Sequence, residues 1–317
     1  MQGKEEEVRR LFEDWNNCHS AYYRLRPEDF RWHQTRQNWL EYGFQTLAGI
    51  PCIFALCTPE GSKNGVSAKT LWISIWGKTD GRATEFVSSA AAFAQTKEKT
   101  RLCFGGEEFH FLPGVPEEDK SLIAALQSHS FSMADAADFS GELQNPQMQE
   151  YLSSGVALAH EKGWQLSELQ EDRFKDFSSY MMKEFPGRWS REFLFWQNLE
   201  NKNGVFWNEL LDEKGNTKGF SRLAKRGSVA NWNPGALRLP LFPEGPDSDT
   251  DSCLGPIGIS ASERGKGAGK FLLALSLQKL LMRGAVRVSI DWTNAYNYYK
   301  PLGLKMVRNY MSAWRDF

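Results

Sequence analysis

Metal-binding patterns are absent from these 317 residues: histidine and cysteine occur five times each, with no Cys-x-x-Cys pair and no His-Glu-x-x-His. No metal is therefore expected. The cysteines at 18, 52, 57, 103 and 253 are scattered and odd in number. That excludes a disulfide framework and reads as reduced, buried thiols in a cytoplasmic protein. Long hydrophobic runs are missing too. No stretch approaches the ~20 apolar residues of a transmembrane helix, and the charged opening from Met1 to Arg10 does not suit a secretory leader. Charge of one sign is equally scarce. With 38 basic and 39 acidic side chains the net charge is −1, which gives no reason to expect nucleic acid or an anionic membrane as partner. What is present is core material: 41% hydrophobic residues and 12 Trp, in a length that suits two domains of ordinary size or one large one.

A calcium loop is excluded by counting. Asp247, Asp249 and Asp251, within the acidic run from Pro243 to Ser252, imitate its start. Ser252 then holds the position that requires glycine, and Gly258 the place of the bidentate glutamate. The run reads as a solvated, mobile loop.

The most informative segment is Arg264-Gly265-Lys266-Gly267-Ala268-Gly269-Lys270, between an apolar run (Leu254 to Ser260) and a helical stretch from Phe271 to Arg283. Glycines let successive N–H groups approach a ligand closely. The positive end of the following helix adds to the same anion site. Neither common nucleotide loop fits. A Walker A loop ending at Gly269-Lys270 would put Arg264 at its first glycine and Phe271 at the metal-binding hydroxyl. A dinucleotide fingerprint would place its third glycine on Lys270 or Leu272. The pattern that does fit is Arg-x-x-Gly-x-Gly, from Arg264, Gly267 and Gly269. Downstream, Gly284 stops the helix and Val286, Val288 and Ile290 alternate as a half-buried strand. Asp291-Trp292-Thr293 and a short aromatic segment, Tyr296 to Tyr299, precede Gly303-Leu304 and a closing strand or hairpin, Lys305 to Trp314.

Loop, helix, strand, short helix and strand in this order resemble the GNAT superfamily of acetyl-CoA-dependent N-acetyltransferases over roughly residues 203–317. Tyr298, Tyr299 and Gly303 hold the places of the family's aromatic-Tyr-x-x-x-Gly-Phe, with Leu304 for the phenylalanine. The resemblance implies that Ile257, Gly258 and Ile259 bond the pantetheine arm. It implies that Arg264, Gly265, Lys266, Gly267, Ala268, Gly269 and Lys270 bond the pyrophosphate. Pro256 removes one ladder donor, as suits an edge, bulged or splayed strand. Tyr299 is the candidate acid for the departing thiolate, with Tyr296 and Tyr298 as rivals. Asp291 is the candidate base, with Glu263 second; Asp291 is equally placed to cap the following helix. Trp292 stands where the family often has an asparagine on the pantetheine, and Asn294 is the candidate substitute.

The front of the chain repeats the rhythm. Glu5 to Trp15 and Phe30 to Phe44 read as helices, Cys52 to Leu56 and Thr70 to Trp76 as strands, and Glu85 to Lys97 as a helix. Leu102 to Leu112 and Glu117 to His129 read as a last strand and helix. This resembles the front half of tandem-GNAT proteins, but Gly77 to Glu85 carries no Arg-x-x-Gly-x-Gly. The fold class is thus α+β (α/β): two tandem GNAT-like domains, each a mixed, mostly antiparallel central sheet flanked by helices. A degenerate domain would occupy 1–147 and a catalytic one 148–317. Asn145-Pro146 and the polar stretch to Ser154 mark the junction, with first helices at Glu171 to Lys183 and Arg188 to Leu199. Trp189, Trp196 and Trp207 with Phe193 and Phe195 suit a pocket or, more ordinarily, a core.

The implied activity is acetyl transfer from acetyl-CoA to a primary amine of a small molecule or peptide, by direct attack in a ternary complex. The alternative is a non-catalytic acyl-CoA-binding or regulatory protein. Acetyl-CoA is the co-substrate, and a monomer or homodimer in the cytoplasm is expected.

Overall fold

The structure is a computed structural model and describes residues 5–25, 38–108, 110, 112–199, 202, 204–225 and 248–317. These residues form two compact units that are not consecutive in the chain. The first holds residues 5–137 and 307–317; the second holds 138–225 and 248–306. The division falls ahead of the expected junction at 147/148, and the last residues return to the first unit.

In the first unit, helix α1 (Glu5–Cys18) buries Val8, Leu11, Phe12 and Trp15 along one face. Strands β1 (Leu40–Leu47), β2 (Ile50–Cys57) and β3 (Thr70–Trp76) pair antiparallel, and β4 (Arg101–Phe104) pairs parallel to β3. Helix α2 (Pro59–Lys63) follows β2; helix α3 (Ala83–Thr96) crosses between the parallel strands. After β5 (Val115–Pro116) comes helix α4 (Lys120–Ser128), capped by Asp119. The segment expected as helix over Phe30 to Phe44 is corrected where it is described: Leu40–Leu47 is a strand. Ala48 and Gly49, both at positive φ, turn it back into β2. Its Gly43 lies opposite Phe54, whose ring covers it. Among the described residues of 102–112 the strand is the short β4 alone, since Gly105 and Gly106 take positive φ and leave the ladder.

The second unit begins within β6 (Ser132–Glu142), a strand that has no counterpart in the sequence reading. Asn145-Pro146, expected as a linker, opens helix α5 (Pro146–Glu161): the Asn145 side chain accepts from Met148 N at 2.8 Å and Pro146 sits in the first turn. Then come β7 (Gln165–Glu168), helices α6 (Phe174–Glu184) and α7 (Arg188–Gln197), and strands β8 (Val205–Leu211), β9 (Thr217–Lys225) and β10 (Asp251–Ile259). Helix α8 (Ala268–Met282), β11 (Arg287–Thr293) and the short helix α9 (Tyr296–Tyr299) complete it. The strand order is β6-β11-β10-β9-β8-β7, antiparallel from β7 to β10 and parallel between β10 and β11. Helix α8 is buried almost all round, since β9 and β10 cover one side and α5 another. The final strand β12 (Lys305–Asp316) is single, not a hairpin; from Val307 it belongs to the first unit, antiparallel to β4 and β5.

Asp251, expected in the loop, is instead the buried first residue of β10, ion-paired with Arg287; residues 243–247 lie outside the described residues. Only Cys52 and Cys253 are buried, whereas Cys18 is exposed; all five are free thiols. Among the described residues no helix is long and apolar enough to cross a membrane, and no group of His, Cys, Asp or Glu is placed to hold a metal.

Candidate functional site

Strands β10 and β11 run paired only from Asp251 to Cys253, then part. On its other side β10 is paired with β9 to Ile259, interrupted by a bulge between Leu254 and Ile257. Pro256 sits in that bulge, which explains how a central strand accepts it. The Gly258 carbonyl lies against Gly219 of β9, so the main-chain groups of Ile257 and Ile259 turn to the opposite edge, toward the gap. Their side chains pack on the core formed by Phe271, Leu272 and Leu275 of α8. Gly258 is enclosed from the other side: a Cβ there would meet Phe220 at 2.6 Å and Phe185 at 2.7 Å.

The glycine segment leads from β10 into α8. Gly265 (φ +77) and Gly267 (φ +85) take the left-handed conformation that favours glycine. Gly267 is the N-cap of α8 and offers no side-chain cap, so Ala268, Gly269 and Lys270 form an uncapped first turn. Arg264 and Lys266 are exposed beside it; the Arg264 Nε donates to the Ile259 carbonyl at 3.4 Å. Lys270 reaches the Tyr151 ring, 5.5 Å from its centroid. Gly269 serves a different contact: the Tyr298 hydroxyl donates to its carbonyl at 2.6 Å, with the ring edge lying against it. In the first unit the corresponding segment has Arg82 as the N-cap of α3, tied to the Ala48 carbonyl at 3.2 Å.

Tyr298 is thereby committed, and Tyr299 is the buried member of the pair, at 4% exposure. Its ring lies 6.3 Å from that of Phe139 on β6. Burial, then the Asp291 charge, holds the Tyr299 hydroxyl above its ordinary pKa, so it stays protonated at neutral pH. Tyr296 is half-buried against Phe139.

Asp291 stands where the strands part, its Oδ1 facing Gly255 of β10. It does not cap α9: Ala295 is the N-cap position, and its N–H is taken by the Thr293 hydroxyl at 3.0 Å. Burial raises the Asp291 carboxyl above its usual range, the Asp138 charge raises it further, and Arg222 and Arg188 oppose both. Those two arginines share one buried carboxylate: Glu192 bonds Arg188 at 2.6 Å and Arg222 at 2.8 Å. Trp292 has φ +43, an unusual conformation for a bulky residue. Two contacts hold it there: its N–H donates to Asp138 Oδ1 at 2.8 Å, and the Arg188 guanidinium covers its ring at 4.1 Å.

The remaining expectations fall outside this gap. Glu263, the second candidate base, is engaged by Lys218 at 3.7 Å and Lys266 at 3.5 Å. Asn294 is exposed on the loop before α9. Phe193, Trp196 and Trp207 are core, with Trp207 stacked on Phe220 at 5.7 Å; Trp189 alone of the tryptophans considered is exposed. Asp138 and the Arg188–Glu192–Arg222 group escaped the sequence reading. Asp138 lies in an Ala- and Asp-rich stretch with no strand pattern, so nothing local marks it.

No family model and no curated sequence matches the chain. Solved structures do. A GCN5-related glucosamine N-acetyltransferase region of a fungal multi-domain β-N-acetylglucosaminidase aligns at TM-score 0.77 and 16% identity. That alignment covers 98% of this chain but 37% of the fungal one, so this chain spans little more than a third of it. A tandem GNAT protein from the clavulanic acid biosynthesis pathway aligns at TM-score 0.60 and 12% identity, over 99% of this chain and 96% of that one. A GCN5-related N-acetyltransferase from Sphaerobacter thermophilus gives 0.52 and 10%, over 84% and 80%. Identities this low establish a shared fold: the chain has the fold of the GNAT acetyltransferases, matched from end to end by a tandem member.

Proposed function

We propose that this chain is an N-acetyltransferase that moves the acetyl group of acetyl-CoA to a primary amine, with its active site in the second unit. The observation that carries the proposal is the gap between β10 and β11, with an uncapped helix N-terminus at one end, Asp291 where the strands part and the buried Tyr299 on the short helix after β11. Acetyl-CoA supplies an activated acyl group as a thioester. The residues fit such a ligand. Ile257 and Ile259 turn main-chain donors and acceptors to an unpaired strand edge suited to pantetheine amides. The loop from Arg264 to Lys270 adds N–H groups, positive-φ glycines and cations suited to a pyrophosphate.

Three tasks remain for the chain's own groups: deprotonating the amine, stabilising the developing oxyanion and protonating the departing thiolate. The Asp291 carboxylate, its pKa raised by burial, is the base nearest the parting of the strands. Tyr299, protonated at neutral pH, is the acid. The loop before α3 in the first unit lacks the glycine pattern, so the proposed cofactor site is the one in the second unit.

The test follows free thiol on mixing acetyl-CoA with a panel of primary amines, alongside acetyl-CoA binding by calorimetry. Wild-type protein is expected to bind and to release CoA with at least one amine. Tyr299→Phe should lower kcat by roughly 10²–10⁴-fold and leave binding almost intact. Gly267→Val should weaken binding at least about tenfold, since valine resists the positive φ that Gly267 adopts in the loop. Binding without thiol release for every amine would make the chain a non-catalytic acyl-CoA binder. Undiminished affinity in Gly267→Val would remove the cradle.

A further inference from the structure

Helices α6 and α7 bury one side in the aromatic core of the second unit and enclose a depression on the other. On α6, Phe177 and Met181 are fully buried, and the Tyr180 hydroxyl pairs with that of Ser260 at 2.8 Å. Lys175, Ser178 and the exposed Met182 share a different face of the helix, with Phe174 at its border. Together with Gln197 at the end of α7 and Lys202 beyond it, they line an open depression of about 640 Å³. That volume is ordinary for a small-molecule site.

Donors without acceptors gather there. Trp196 is 4% exposed, and its indole N–H has no hydrogen-bond partner. Its ring touches two walls of the depression, Phe174 at 5.5 Å between centroids and the Lys202 ammonium at 5.9 Å. A buried N–H in this state costs free energy unless a ligand or water satisfies it. Trp207 has an unpartnered N–H too, but it lies one ring deeper, among Phe177, Phe193, Trp196 and Phe220. Gln197 commits its Oε1 to the Ser178 hydroxyl at 3.1 Å, which leaves the amide hydrogens to donate. Lys202 is tethered to the Leu199 carbonyl at 2.7 Å and Lys175 is exposed; neither makes an ion pair among the described residues. Glu171 is the one carboxylate among the described lining residues, and Asp176, next to Lys175, faces Arg173 at 3.9 Å.

We propose that this depression binds a small organic anion with an apolar body. Lys175, Lys202, the Gln197 amide and the Trp196 indole supply donors to the anionic group, and Phe174 and Met182 meet the body. A carboxylate and a phosphate ester share this chemistry. Two ammonium groups against one carboxylate disfavour a cation. Bound there, the ligand joins the start of α6 to the end of α7. The site makes no use of the gap between β10 and β11, so it stands or falls separately from the acyl-transfer reading.

The test titrates the full chain with benzoate and with phenyl phosphate, followed by nitrogen–proton NMR of the indole groups and by calorimetry. Benzylamine and inorganic phosphate are the controls. The Trp196 indole signal, identified by its loss in Trp196→Phe, should move saturably with at least one of the two anions and with neither control. Which anion moves it separates a carboxylate ligand from a phosphate ester. Lys175→Ala and Lys202→Ala, both outside the core, should each weaken that binding about fivefold, and an excess of acetyl-CoA should not displace the anion. If Trp196→Phe does not fold, calorimetry on the lysine variants decides. No saturable binding of either anion, affinity unchanged in both lysine variants, or equal binding of benzylamine would overturn the site. Inorganic phosphate binding as tightly as phenyl phosphate would overturn the role given to the apolar body. Displacement by acetyl-CoA would put the anion at the glycine loop and overturn the site as well.

Discussion

Burial of Asp291 works against its charged form. A carboxyl whose pKa is raised on folding holds its proton more tightly in the native state than in the unfolded one. Between its ordinary and its raised pKa the native state therefore binds more protons, and stability falls as pH rises through that window. Asp291→Asn removes the charge and keeps the shape. Its Tm should exceed that of wild type at pH 7, and the difference should vanish below the usual carboxylate range near pH 4. A variant less stable at both pH values would show that Asp291 is needed as a hydrogen-bonding carboxylate in the fold. Trp292 is held by opposite means: an unfavourable φ offset by Asp138 below and Arg188 on its ring. None of this is legible locally, because each partner lies on a different element. Tyr299 is a candidate through the family resemblance, and Asp291 as the closest carboxylate in sequence at the end of its strand. Which tyrosine is committed depended on Tyr298 reaching Gly269, a contact invisible in spacing alone.

Among the elements, the glycine loop leads into α8, and α5 packs against that helix. The two helices approach closely at Gly155, where a Cβ would lie 2.6 Å from the Ala274 Cβ. Gly155→Val should overpack this crossing at a cost of about 1–3 kcal/mol, read as a lower Tm, and weaken acetyl-CoA binding by tilting the first turn of α8. A Tm equal to wild type would mean that the helices separate freely. Elements whose own pattern matches their surroundings are legible: all seven residues of the strand Thr70–Trp76 are buried, and its apolar run has the same bounds in the sequence. Those decided by partners were not. In β1, Gly43 weakens any strand reading until Phe54 is seen to cover it across the ladder. In β6, small and acidic residues have low strand preference, and the neighbouring β11 imposes the extended form. The Asn145-Pro146 pair serves turns and helix starts alike; the Met148 N–H accepted by Asn145 is what distinguishes them.

For the whole molecule, the assignment of residues 307–317 to the first unit has a direct test. In that unit Ala313 to Asp316 pair with β4, Tyr310 is buried against Tyr23, and the Tyr23 hydroxyl bonds the Asn309 carbonyl at 2.8 Å. Removing 307–317 should strip amide-exchange protection from β3 and β4 by on the order of 100-fold, the equivalent of about 2–3 kcal/mol of lost burial. Protection in α8 and β9 should survive. Equal protection of β3 and β4 in the shortened chain would show that β12 is dispensable to that sheet. The same pairing also sets an order of events during synthesis. Residues of β4 leave the ribosome some 200 positions before β12, a delay of roughly 10–40 s at ~5–20 residues per second. Throughout it the nascent first unit presents an open strand edge, to be shielded by chaperones until β12 emerges and closes it.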